Sequence, residues 1–160
     1  MTMTPRRHPG TDAVWFLNDL IIPLASPSDT DGVVAVVEGL YPPGDATPFH
    51  VHHDDHEAWY VLEGAVTLHC GKERFDAAEG DFLWAPKGVE HAIVVSEDGP
   101  ARMLTLAFPG RFLDFVAELG VPAPEHRLPD HRPLDPEHLG RVAAQHGITI
   151  TGPPPSAPSA

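Results

Sequence analysis

The chain holds a single cysteine, Cys70, among its 160 residues. An internal disulfide is therefore excluded, and a lone thiol fits a reducing compartment such as the cytoplasm. Basic residues are scarce: 10 lysines and arginines stand against 23 acids, for a net charge of −13. So acidic a surface repels phosphate backbones, which argues against nucleic-acid binding of the electrostatic kind. No apolar run approaches the roughly 18 residues that a membrane helix requires, so no membrane span is expected. Met1 to Gly10 is polar and bears proline, without the apolar stretch of a signal peptide. Internal repeats are absent, and the length suits one domain with a real core.

Proline and histidine are abundant instead, at 19 and 11 residues, and four of the histidines fall within His50–His56. Residues 1–12 read as a flexible arm, followed by an apolar segment around Val14-Trp15-Phe16-Leu17. Asp29-Thr30-Asp31-Gly32 is a turn signal, and Val33-Val34-Ala35-Val36-Val37 is β-branched and reads as a strand. Short apolar runs then follow to Phe108, broken at Glu63-Gly64, Gly71-Lys72, Glu79-Gly80, Pro86-Lys87-Gly88 and Gly99-Pro100. Many short strands at regular spacing predict an antiparallel β sandwich or barrel over residues 13–109. After Phe108 the period changes. Phe112, Phe115, Val116 and Leu119 mark one face of a short helix, with Gly120 as its stop. Val121 to Pro133 holds four prolines and is expected to be irregular. Asp135-Pro136-Glu137 gives an N-cap, a proline at N1 and an acid in the first turn of a second helix, stopped by Gly147. Residues 110–150 thus form a C-terminal helical extension, with a last strand at Ile148-Thr149-Ile150 and a disordered tail over 151–160.

Four residues stand out chemically. His50 and His52 are two apart on a strand, so both side chains leave the same face. His53-Asp54-Asp55-His56 can turn the chain, and the next strand opens with Glu57, able to face back across the histidine pair. His91 follows the Pro-Lys-Gly turn and opens another strand. Three imidazoles and one carboxylate suit a single divalent transition metal: iron, manganese, nickel, cobalt or zinc. The remaining histidines, with Asp54 and Asp55, read as ordinary loop and surface groups.

Gly44-x5-His50-x-His52-x4-Glu57-x6-Gly64 and Gly80-x5-Pro86-x-Gly88-x2-His91 resemble the two signature motifs of the cupin superfamily, with nine fixed positions at fixed spacing. The resemblance implies an all-β jelly-roll barrel whose metal is held by His50, His52, Glu57 and His91. Val95 stands where the second motif usually ends in asparagine, a position that is not a metal ligand in the family. His50-Val51-His52-His53, Glu57-Ala58-Trp59-Tyr60-Val61-Leu62-Glu63-Gly64 and Pro86-Lys87-Gly88-Val89-Glu90-His91-Ala92 are further similar to single-domain, quercetin dioxygenase-like cupins. In such relatives the glutamate is both ligand and base, taking a proton from the bound hydroxyl of an aromatic or enolic substrate.

Strand alternation from Glu57 puts Trp59 on the metal face and Tyr60 and Leu62 on the other, while alternation from His91 turns Ile93 and Val95 inward. Trp59, Ile93 and Val95 are the expected pocket walls, with Tyr41 at the mouth and Phe112 and Phe115 either capping the opening or docking their helix. An apolar, aromatic-lined cavity with one ionic centre predicts a flat, hydroxylated small molecule as substrate. The expected function is a metal-dependent dioxygenase with Glu57 as the catalytic base. A redox-neutral cyclase, isomerase, decarboxylase or lyase and a non-catalytic binding barrel are the alternatives. Outward-facing Tyr60 and Leu62 predict a homodimer.

Overall fold

The computed structural model describes residues 12–156, and the expected N-terminal arm lies outside them except for Asp12. The described chain runs β1 (Val14–Phe16), β2 (Asp19–Ala25), β3 (Ala35–Tyr41), β4 (Phe49–His52), β5 (His56–Glu63), β6 (Ala65–Cys70) and β7 (Glu73–Ala78). It continues with β8 (Phe82–Ala85), β9 (His91–Val95), β10 (Ala101–Phe108), α1 (Phe112–Leu119), β11 (Val121–Pro122), α2 (Pro136–Gln145) and β12 (Ile148–Gly152). The strands form two antiparallel sheets, ordered β11-β1-β2-β3-β10-β5-β8 and β12-β4-β9-β6-β7. This is the expected all-β jelly roll. No helix among the described residues is long and apolar enough to cross a membrane.

Alternation builds the barrel. Along β10, Ala101, Met103, Thr105 and Ala107 are buried and their neighbours are half-buried. β10 lies between β3 and β5, with Thr105 opposite Val37 on one side and Trp59 on the other. One cluster, around Trp59, Val61, Leu68, Leu83 and Met103, fills the barrel. A second, around Phe16, Ile21, Phe115, Leu139 and Ile148, seals the two helices against its open end. Gly64 has φ +84°, and a Cβ there would come within 2.5 Å of the Pro100 carbonyl, so this motif position excludes a side chain.

Several expected boundaries shift. The strand expected at Val33 begins at Ala35, and Val33 lies in the preceding turn, 65% exposed. β2 carries Pro23, yet sits inside the sheet order. Its pairing with β1 ends at Ile21, and on the β3 side Pro23, opposite Val37, adjoins an irregularity in the register, where a missing N–H is tolerated. Val121 and Pro122, expected to be irregular, pair with Trp15 and Val14. Thr151 and Gly152, placed in the expected tail, complete β12, with Gly152 opposite Phe49 of β4. Both helices stop where Gly120 and Gly147 were expected to end them, and α2 starts after its expected N-cap. Asp135 accepts hydrogen bonds from the N–H groups of Glu137 and His138.

Candidate metal centre and its cavity

β4 lies between β9 and β12, and His50 is directly paired with His91 of β9. His52 and His50 oppose Ile148 and Ile150 of β12. Three imidazoles thus project from the five-stranded sheet, and Glu57 comes from β5 of the facing seven-stranded sheet. One donor atom from each of the four residues lies within 4.8 Å of all the others. Oε2 of Glu57 is 2.9 Å from Nε2 of His91, 3.1 Å from that of His52 and 3.9 Å from that of His50. His52, Glu57 and His91 are buried and His50 is nearly so.

The tautomers are constrained. Nδ1 of His50 lies 2.7 Å from the Pro48 carbonyl, and Nδ1 of His91 lies 3.0 Å from the Val89 carbonyl. A carbonyl only accepts, so both rings donate through Nδ1, and as neutral imidazoles they aim a lone pair from Nε2 at the carboxylate. Lone pairs directed at a carboxylate oxygen repel it unless a proton or a cation lies between them. This donor set therefore fits a divalent transition metal, with nitrogen ligands oriented by backbone carbonyls. Burial pushes the pKa of His50 down. At His52 burial acts in the same direction, but the Glu57 carboxylate outweighs it and holds the pKa above the ordinary imidazole value. Burial also opposes charge on Glu57, yet the charge of His52 beside it holds its carboxyl well below the usual range.

A cavity of about 110 Å³ opens against this cluster. Tyr41, Trp59, Ile93, Phe112 and Phe115 all line it. Phe112 lies 6.5 Å from the His52 ring and Trp59 lies 5.9 Å from the His91 ring, between centroids. Phe112 and Phe115 both cap the cavity and pack on Phe16, so the two expectations for them coincide. Val95 does not line the cavity. It points inward, but four residues along β9 from His91 carries it roughly 13 Å away, into the core with Val66 opposite. Tyr41 folds back over Gly39, where any Cβ would collide with the phenol, and its hydroxyl lies 3.1 Å from the Thr105 hydroxyl. Of the other histidines in the run, His53 is exposed and bonds Thr149, and His56 stacks on Trp84.

Three acids carry more than the sequence indicated. Asp55 is buried rather than an ordinary loop acid, 3% exposed, close enough to His52 for their charges to interact, and raised in pKa by burial. Asp19 and Asp45 both line the cavity. Asp19 follows the Leu17-Asn18 turn and reads as a hairpin acid. The available signal was its phase, since it shares a strand face with Ile21. Burial raises the pKa of Asp19 well above the usual carboxylate range, and Asp45 nearby adds to it.

Residues 37–107 match the family model described as a cupin domain, Cupin_2. Those residues form a cupin domain. Over 106 residues this cupin is 31% identical to quercetin 2,3-dioxygenase of Bacillus subtilis (strain 168), covering 66% of this chain and 31% of that enzyme. The chain therefore spans less than a third of the length of that relative. A predicted oxalate decarboxylase from Thermotoga maritima superposes with a TM-score of 0.59 at 16% identity, over 66% of this chain and 99% of that one. The polyketide cyclase RemF from Streptomyces resistomycificus gives a TM-score of 0.55 at 24% identity, over 66% and 80%. These two likenesses establish the shared fold.

Two outcomes are expected. A metal held at a free concentration a hundredfold above its Kd stabilises the fold by about 2.7 kcal/mol over the chelator-treated protein. Denaturant melts read this gain, which disappears in His52→Ala and His91→Ala. No gain with any of iron, manganese, nickel, cobalt or zinc would contradict the site. For Asp19, the folded pKa lies above an unfolded value near ~3.9, so the fold is favoured below that value and loses stability as pH rises through the folded pKa. Asp19→Asn should therefore raise the thermal midpoint at neutral pH and leave it little changed near pH 4.

Proposed function

We propose that this cupin is a metal-dependent dioxygenase acting on an aromatic or enolic hydroxyl compound. The observation that carries this reading is the convergence of three imidazole Nε2 atoms and the Glu57 carboxylate on one wall of an apolar, aromatic-lined cavity. The likeness to a quercetin 2,3-dioxygenase over 66% of the chain supports it. A divalent ion bound by His50, His52, Glu57 and His91 would supply Lewis acidity toward the substrate hydroxyl and redox access to dioxygen. The protein residues supply the rest. Glu57 is anionic and receives the hydroxyl proton at its carboxylate. A carboxylate with so low a pKa is a weak base, so it needs a hydroxyl acidified by its surroundings. Trp59, Phe112 and Ile93 exclude water and hold a flat ring against the centre. Tyr41 keeps its proton, because burial and the nearby acids push its pKa above the ordinary phenol range.

The test is oxygen uptake by protein loaded with iron, manganese, cobalt or nickel, against a panel of flavonols and smaller enols. Substrate-dependent uptake is expected, and Glu57→Gln should lower kcat per bound metal by about 10²–10⁴. Full turnover by that variant would remove Glu57 from the chemistry. Metal binding and substrate conversion without oxygen uptake would favour redox-neutral acid–base chemistry on the same atoms.

We also propose that the protein is a homodimer through the outer face of β5 and β8. Tyr60 and Phe82 face each other across that strand pair, and with Trp84 they are 40%, 58% and 44% exposed. Leu62, expected to share this face, is half-buried. An apolar surface of this kind suits burial against its own copy. Light scattering at micromolar concentration should give twice the chain mass, and Trp84→Lys should shift it toward one.

A further inference from the structure

The cavity has a second polar wall that the metal-centre chemistry leaves unused. Asp19, at the start of β2, is 6% exposed and lines the cavity, and its Oδ1 finds no hydrogen-bond partner among the described residues. Asp45, on the loop after β3, lines the same cavity and is near enough for the two carboxyls to act on each other's charge. The Tyr41 hydroxyl is engaged with Thr105 and the Thr47 hydroxyl with the N–H of Ile93, Phe16, Ile21 and Phe115 offer no donor, and His131 is near enough to Asp45 for their charges to interact. A buried acceptor without a donor costs stability, and one that faces a cavity is satisfied by what enters it. Tyr41 lines the cavity together with Asp19, Asp45 and Glu57.

We propose that Asp19 and Asp45 form an anchoring subsite that accepts a hydrogen bond from a hydroxyl or ammonium group on a part of the substrate that does not touch the metal centre. The proposal rests on the reading above, in which an enolic or phenolic oxygen sits at His50, His52, Glu57 and His91. It narrows the substrate class to compounds with two polar ends separated by a flat apolar body: a phenolic or enolic head and a donor-bearing tail. A carboxylate or phosphate tail is excluded, because it would meet two acids with no basic residue lining the cavity besides the histidines of the metal centre.

Calorimetric titration of the zinc-loaded protein tests this without relying on turnover, since zinc is redox-inert. The probes are 4-alkylcatechols with arms of one to three carbons, each ended in methyl, hydroxyl, ammonium or carboxylate. At the best arm length, the hydroxyl and ammonium probes should bind about tenfold or more tighter than the methyl probe, and the carboxylate probe weakest. In Asp19→Leu and Asp45→Ala, which remove the acceptor oxygens, the ratio of donor to methyl affinities should collapse. The ratio is taken within each protein, and the wild-type ranking stands as a test even if a variant fails to fold. Catechols that bind with no donor preference at any arm length overturn the subsite and leave the metal reading intact. A preference that survives both substitutions also overturns the subsite. If no catechol binds to protein that holds its zinc, the enolic-substrate reading falls, and the subsite with it.

Discussion

The structure turns on one electrostatic problem, the gathering of four electron-rich donor atoms from two different sheets. His50, His52 and His91 stand on one sheet and Glu57 on the other, so the cluster spans the barrel. Left alone, such atoms repel one another, and burial removes the water that would screen them. The fold holds them there through ordinary devices. Cross-strand pairing sets His50 against His91, two backbone carbonyls fix the ring tautomers, and the Pro-Lys-Gly turn delivers His91 at the right register. A cation resolves the repulsion, which makes the site an energetic liability when empty of charge and a binding site when charge is supplied.

The cavity beside the cluster is polarised rather than uniformly apolar. At one wall the charge of His52 holds the Glu57 carboxyl well below its usual range, and at another burial pushes the Asp19 carboxyl well above it. Two acids in one cavity are thus shifted in opposite directions, by their neighbours rather than by their own chemistry. Tyr41 stays neutral near both, seated over the one strand position that has no side chain to block it, Gly39. Aromatic rings close the remaining directions, so a bound molecule meets contrasting partners at its ends and a flat surface along its body.

The ligand cluster was legible because its constraints are local and periodic. A two-residue spacing on a strand, a turn, and a proline-glycine hinge are short-range signals, and each survives in the structure. The same is true of Trp59 and Ile93, whose phase follows from Glu57 and His91. Val95 kept its phase but not its place, since alternation says which way a residue points and not how deep along the barrel it lies. Asp19 was hidden for a different reason. An acid beside a turn is ordinary in sequence, and nothing local shows that it faces a cavity lined also by residues of α1 and α2, more than ninety residues on. Val33 shows the converse: β-branched character without a neighbouring strand to pair with leaves a residue in a turn. β11 formed despite its proline because two pairs at a sheet edge ask little of the backbone.

β12 gives the chain an order of assembly. β4, which carries two of the ligands, needs β9 on one side and β12 on the other, and β12 ends only at Gly152. During synthesis the histidine strand therefore emerges about a hundred residues before its second neighbour exists. The barrel can begin to close around its Leu68 and Met103 core, but the edge of β4 stays open until the last strand is released. The histidine strand thus gains its second neighbour only once β12 has emerged. Any ion that enters earlier meets a half-formed site.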